Sequence, residues 1–144
     1  MRFQKAVLVM FQAGVATTAM AEVKWEKISF NNKSVNLYMD TNSIQTKVDK
    51  YKNRYLEARF SRAYGEPRKM ETQNKYYSHY FETLSVDCAN GAYASSNWKW
   101  SINNKAVHQS AGKADDWNKY DSDDRSTTAV SARALCKHYK SFLG

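Results

Sequence analysis

A chain of 144 residues carrying a net charge of +8, with 22 Lys and Arg against 14 Asp and Glu, has room for one small domain. Aromatic residues make up 14%, ten of them Tyr, and there is a single Pro, which excludes disordered, collagen-like and low-complexity classes. No second core fits, so a multidomain enzyme is excluded as well.

Residues 1–21 read as a cleavable export signal. Arg2 and Lys5 form a short positive start, no acid precedes Glu22, and the apolar run from Ala6 to Val15 is too short to cross a membrane. Ala19-Met20-Ala21 then gives the small-x-small pattern that a signal peptidase accepts. Cleavage after Ala21 removes two bases and no acid, and no Cys stands nearby to carry a lipid anchor. No later segment reaches the ~18 uninterrupted apolar residues of a spanning helix, so the chain is not expected to span a membrane. The expectation is a single exported domain, residues 22–144, in the periplasm, on the outer surface or secreted.

From Glu22 to about Ser110 the hydrophobic period is mostly two, the period of a strand. Val23 and Trp25 share one parity and Ile28 and Phe30 the other, a slip that predicts a bulge near Lys27. Val35, Leu37 and Met39 form the next strand, followed by a predicted turn at Asp40-Thr41-Asn42-Ser43. Leu56, Ala58 and Phe60 alternate with polar residues as a half-buried strand does. The Tyr-rich segment from Tyr76 to Cys88 turns at Ala89-Asn90-Gly91 into Tyr93–Ile102, a hairpin by pattern. Asn103-Asn104-Lys105 is a further turn before Ala106–Gln109.

After Ala111 the character changes. Asp115, Asp116, Asp121, Asp123 and Asp124 crowd a polar loop around Trp117, and Ser126, Thr127 or Thr128 can cap a helix running to about Ser141. Ala129, Ala132, Leu135, Cys136, Tyr139 and Phe142 fall in one arc of that helix, with Arg133, Lys137 and Lys140 beside it. The predicted fold is α+β: one antiparallel sheet of five or six strands covered by a single C-terminal helix. Cys88 and Cys136 are the only cysteines, and in an exported chain they read as one disulfide stapling helix to sheet. Closing a loop of about fifty residues is worth roughly 4 kcal/mol on the chain-entropy model. Neither a CxxC pair nor suitable His spacing accompanies them, so no metal and no cofactor is expected.

No catalytic motif is present: no GxSxG, HExxH, P-loop or glycine-rich dinucleotide turn. His79, His108 and His138 stand at no spacing that would make a catalytic pair. Asp121-Ser122-Asp123-Asp124 begins like a calcium loop but lacks its Gly and its terminal Glu. The chain reads as a binding protein rather than an enzyme.

Two surface features could bind. Between Lys47 and Lys75 stand nine basic and four acidic residues, which on alternating strand positions could form a patch for heparin-like polyanions or acidic protein surfaces. Nucleic acid is disfavoured by export. The candidate patch comprises Lys50, Lys52, Arg54, Arg59 and Arg62, joined by Tyr76, Tyr77 and Tyr80, since Tyr is a common interface anchor. Trp98, Lys99 and Trp100 stand on an adjacent predicted strand and complete this second, aromatic feature, although Trp98 and Trp100 share a strand face and read as core more readily than as contact residues.

Several short segments carry a resemblance. Trp25 followed by Ile28, Tyr38-Met39-Asp40-Thr41-Asn42-Ser43-Ile44, Lys75-Tyr76-Tyr77-Ser78 leading to Val86-Asp87-Cys88-Ala89-Asn90-Gly91-Ala92-Tyr93, Trp117, and the helix with Cys136 are similar in order and spacing to the surface-adhesin protein E family of small exported Gram-negative bacterial proteins. The resemblance implies a twisted antiparallel sheet with a disulfide-tethered C-terminal helix. It also implies adhesion to host extracellular proteins such as vitronectin and laminin. The other function open to such a chain is that of a periplasmic structural or envelope accessory protein sharing only the fold.

Overall fold

The computed structural model describes residues 22–112 and 116–143; the segment read as an export signal and Asp115 lie outside them. Six strands follow one another as an antiparallel meander: β1 (Trp25–Ile28), β2 (Val35–Val48), β3 (Arg54–Lys69), β4 (Tyr76–Asp87), β5 (Ala92–Ile102) and β6 (Lys105–Ser110). A two-residue strand, β7 (Asn118–Lys119), pairs with Ala92 and Tyr93 of β5, and the chain ends in helix α1 (Thr127–Leu143). The antiparallel sheet with one C-terminal helix is as the alternation predicts, with β7 the strand that two residues could not reveal.

Alternation assigns the faces. Ile28, Val35, Leu37, Met39, Leu56, Ala58, Phe60, Leu84 and Val86 form the core side of the sheet, each at most 7% exposed, and α1 covers them with Ala132 and Leu135. Small residues on the helix let its backbone approach the sheet closely. Ser126 is the cap, its Oγ accepting from the Ala129 amide at 3.3 Å, and Asp124 accepts the Ser126 amide at 2.9 Å. Cys88, just past the end of β4, and Cys136 on α1 are joined by the predicted disulfide, with Cα atoms 5.8 Å apart.

Two sequence expectations are corrected. No bulge occurs at Lys27: β1 pairs regularly with β2 from Trp25↔Asp40 to Ile28↔Leu37. The parity slip instead marks a change of face. Ile28 points to the core, whereas Trp25 serves the opposite side, where it meets Phe81. The second correction is Asp40–Ser43, which does not reverse the chain. β2 runs through it to Val48 with a register shift between Asp40 and Gln45, so four residues bulge where one would pair. Asp40 draws the Asn42 amide to its carboxylate at 3.1 Å, the local bond expected of a turn residue. Ser43 holds the bulge on β3, its Oγ donating to the Asp40 carbonyl at 2.7 Å and accepting the Arg59 amide at 2.8 Å. The other turns fall as expected: Gly91 closes the β4–β5 hairpin at φ +62°, and Asn103 and Asn104 at +52° and +63° make the two-residue β5–β6 turn, with β6 resuming at Lys105.

The face away from the helix is lined with small residues. Ser61, Ser85, Ala94, Ser96 and Ser101 are each at most 7% exposed. Strands β1 and β4 would stand about 14 Å apart in a flat sheet, yet the rings of Trp25 and Phe81 lie 6.1 Å apart. The sheet therefore curls toward this side and makes it concave.

Candidate functional site

The predicted patch does not assemble as one surface. Lys50, Lys52 and Arg54 are exposed together at the β2–β3 hairpin, where Lys50 lies over the Tyr51 ring at 5.2 Å. Tyr76 and Tyr77 sit at the far end of the 16-residue strand β3, opposite Lys69 and Arg68. At ~3.3 Å per residue those ends are about 50 Å apart. Between them Arg59 and Arg62 differ in number by three and so face opposite sides. Arg59 is exposed on the concave side and donates to buried Asp40 at 2.6 Å. Arg62 lies on the helix side, half-buried and paired with buried Glu82 at 2.9 Å.

Arg62 and Tyr80 belong to an interior network beside the core. The Arg62 guanidinium stacks on the Tyr80 ring at 4.7 Å and also donates to Thr128 Oγ1 on α1 at 3.1 Å. Glu82 Oε1 accepts Ser95 Oγ at 2.6 Å, and Ser95 accepts Trp98 Nε1 at 2.6 Å. Tyr80 packs on Trp100 at 5.2 Å, and Trp100 on His108 at 5.2 Å. His108 in turn meets Gln73 Nε2 at 3.1 Å, tying the β3–β4 hairpin tip to β6. These groups hold strands in register.

Burial first, and then the nearby Glu82 carboxylate, push the Tyr80 hydroxyl far above its ordinary value; burial is also the main cause of upward shifts at Tyr77, Tyr93 and Tyr120. A tyrosine in the unfolded chain ionises near pH 10, while these stay protonated in the fold. Their contribution is fully present below about pH 10 and is lost as pH rises through the folded values. The urea midpoint is therefore expected to hold from pH 8 to 9.5 and fall steeply toward pH 11. Tyr80→Phe should flatten that fall, and a wild-type midpoint unchanged at pH 11 would contradict the assignment.

On the concave side the side chains converge differently. A cleft of about 510 Å³ is lined by Trp25, Arg59, Phe81, Thr83, Asn97, Trp98, Lys99, Gln109 and Ser110, among others. Its shape comes from a bulge: Phe81↔Lys99 and Thr83↔Ser96 leave Asn97 and Trp98 together opposite Glu82, with Asn97 at φ +54°. Asn97 donates its amide to the Ala111 carbonyl at 2.7 Å, and Gly112 lies flat on the Trp98 ring, where a Cβ would come within 2.4 Å. Only glycine, itself at φ +56°, fits that place. Lys99 Nζ stands 4.6 Å above the Phe81 ring, and Trp25 remains 39% exposed at the opposite wall. Of the predicted patch, only Arg59 belongs to this site. Lys99 and Trp98, from the aromatic feature, belong to it as well; Trp25, Phe81 and Asn97 were missed, although the parity slip before Ile28 and the break in alternation at Asn97 were the signals for them.

The disulfide agrees with an exported protein. No helix among the described residues is long and apolar enough to cross a membrane. The fold and cleft thus define a curled antiparallel meander with one face closed by a tethered helix and the other open in an aromatic, cationic groove. No protein-family model matches the sequence, and no curated protein matches it. Among solved structures the chain is similar to protein E from non-typeable Haemophilus influenzae, at 17% identity and a TM-score of 0.46, covering 82% of this chain and 92% of that one. The likeness is a distant one.

Proposed function

We propose that this is an exported, non-catalytic binding protein that holds a ligand against the open face of its sheet, with adhesion to an extracellular matrix protein such as vitronectin or laminin as its role. The observation that carries this reading is the concave cleft, where aromatic faces, cations and neutral polar groups converge in a volume suited to a ligand group. Heparin-like chains are the alternative ligand. The exposed Lys50, Lys52 and Arg54 end supplies long-range attraction for an acidic partner rather than the contact itself.

Oxidised protein passed over immobilised vitronectin, laminin and heparin in a salt series is expected to bind at least one of them saturably, more weakly as salt rises. Replacing Lys50, Lys52 and Arg54 together by Ser should slow association several-fold and flatten the salt dependence, with thermal stability unchanged. Absence of saturable binding to all three would turn the reading toward an envelope accessory protein.

A further inference from the structure

Resting on the reading that the open cleft is the binding face, we infer that its ligand group is a carboxylate-bearing sugar. The aromatic walls offer flat apolar surface for the C–H face of a pyranose. Thr83 and Gln109, the latter paired with Lys99, bring neutral polar side chains to the same cleft, neither with a side-chain hydrogen-bond partner among the described residues. A ring with an apolar face and many hydroxyls satisfies both sets at once.

Charge selects the acid. Arg59 is balanced by Asp40, and Glu82, which also lines the cleft, is balanced by Arg62, which leaves Lys99 as the net positive charge of the cleft. One uncompensated cation matches one carboxylate, whereas a densely sulfated chain would need several. Arg59 uses a single guanidinium nitrogen on Asp40, so its remaining donors are available to bind a carboxylate alongside Lys99. An extended peptide is the poorer fit, because it would seek free backbone groups at a sheet edge, and the floor of this cleft is the face of β3, β4 and β5, strands already paired on both sides, with the edge strands β1 and β6 supplying only its walls.

The test is titration of the full oxidised protein with sialyllactose, with a glucuronate-containing hyaluronan tetrasaccharide, and with neutral lactose, followed by Trp fluorescence and ligand-observed NMR. At least one acidic saccharide is expected to bind with Kd on the order of 0.1–1 mM, about tenfold or more tighter than lactose. The arm that binds separates a terminal acidic sugar from an internal uronic acid. Lys99→Gln, a surface change, should weaken the acidic sugar about tenfold while leaving lactose unaffected; Trp25→Ala should weaken both. Equal affinity for acidic and neutral sugars, no binding below ~10 mM, or full affinity in both variants would overturn the inference. If Trp25→Ala abolishes capture by a matrix protein while no saccharide binds, the open face remains the binding face and only the sugar assignment falls. If neither is affected, both fall.

Discussion

Cys88→Ser is expected to lower stability by about 4 kcal/mol, the loop-closure contribution of a bridge spanning 48 positions. For a domain of this size the melting temperature should fall on the order of 10 °C. The loss should not be uniform. The helix faces the sheet with Ala129, Ala132 and Leu135, two of which bury only a methyl group. A 17-residue helix without its docking site is marginal in water, so the covalent tether limits how far it can depart. Hydrogen exchange should therefore show α1 amides losing protection first, while the central pairing of β3 with β4 keeps most of its own. Cys88 is exposed, and both half-cystines line a broad groove beside Phe30 and Tyr139. Dithiothreitol should accordingly reach the bridge in the folded protein and reproduce the variant's melting point. A loss below about 1 kcal/mol in both experiments would mean that packing alone holds the helix, against the usual cost of removing such a bridge.

The fold was legible because its central strands place their large aliphatic residues on one side and small or polar ones on the other. In Leu56-Glu57-Ala58-Arg59-Phe60 a period of two survives, because every even residue faces the helix and every odd one the concave side. The disulfide was legible from two cysteines in a chain whose start reads as an export signal. The turn predicted at Asp40–Ser43 failed for a physical reason: its side-chain bonds are those of a turn, but β3 continues past it and recaptures the chain at Gln45. Local chemistry bends this strand and long-range pairing decides that it does not reverse.

The candidate site was less legible because charge was read along the sequence, whereas pairing is set across strands. Of the basic residues between Lys47 and Lys75, Lys47, Arg59 and Arg62 are engaged by Glu57, Asp40 and Glu82, the last two from outside that stretch of sequence. The cleft draws on β1, β3, β4, β5 and β6, contributing one to three residues each in no detectable motif. Curl of the sheet creates it, and curl follows from small residues on one face, a signal spread over forty positions.

Glu82→Gln should cost about 3–5 kcal/mol, as removing one partner of a buried ion pair does. Glu82 is 4% exposed and the side chain of Arg62 only 18%. Burial works against the Arg62 guanidinium's charge, and Glu82 with Tyr64 and Tyr80 more than offsets it. The amide keeps Ser95 as a partner but supplies no counter-charge, so the guanidinium must move toward water and leave Thr128 and the Tyr80 ring. Replacing both partners, Arg62→Met with Glu82→Leu, should recover most of the loss, because no uncompensated charge then remains. Urea denaturation of Arg62→Met, of Glu82→Leu and of the double completes the cycle and isolates the coupling. The same variant reaches the cleft. Glu82 orients Ser95, which in turn holds the Trp98 indole at the cleft rim, so Glu82→Gln should shift the Trp emission of the native state before any unfolding. A stability change under about 1 kcal/mol, as exposed pairs show, with unchanged emission would mean that the pair is solvated and that the cleft does not depend on the network beneath it.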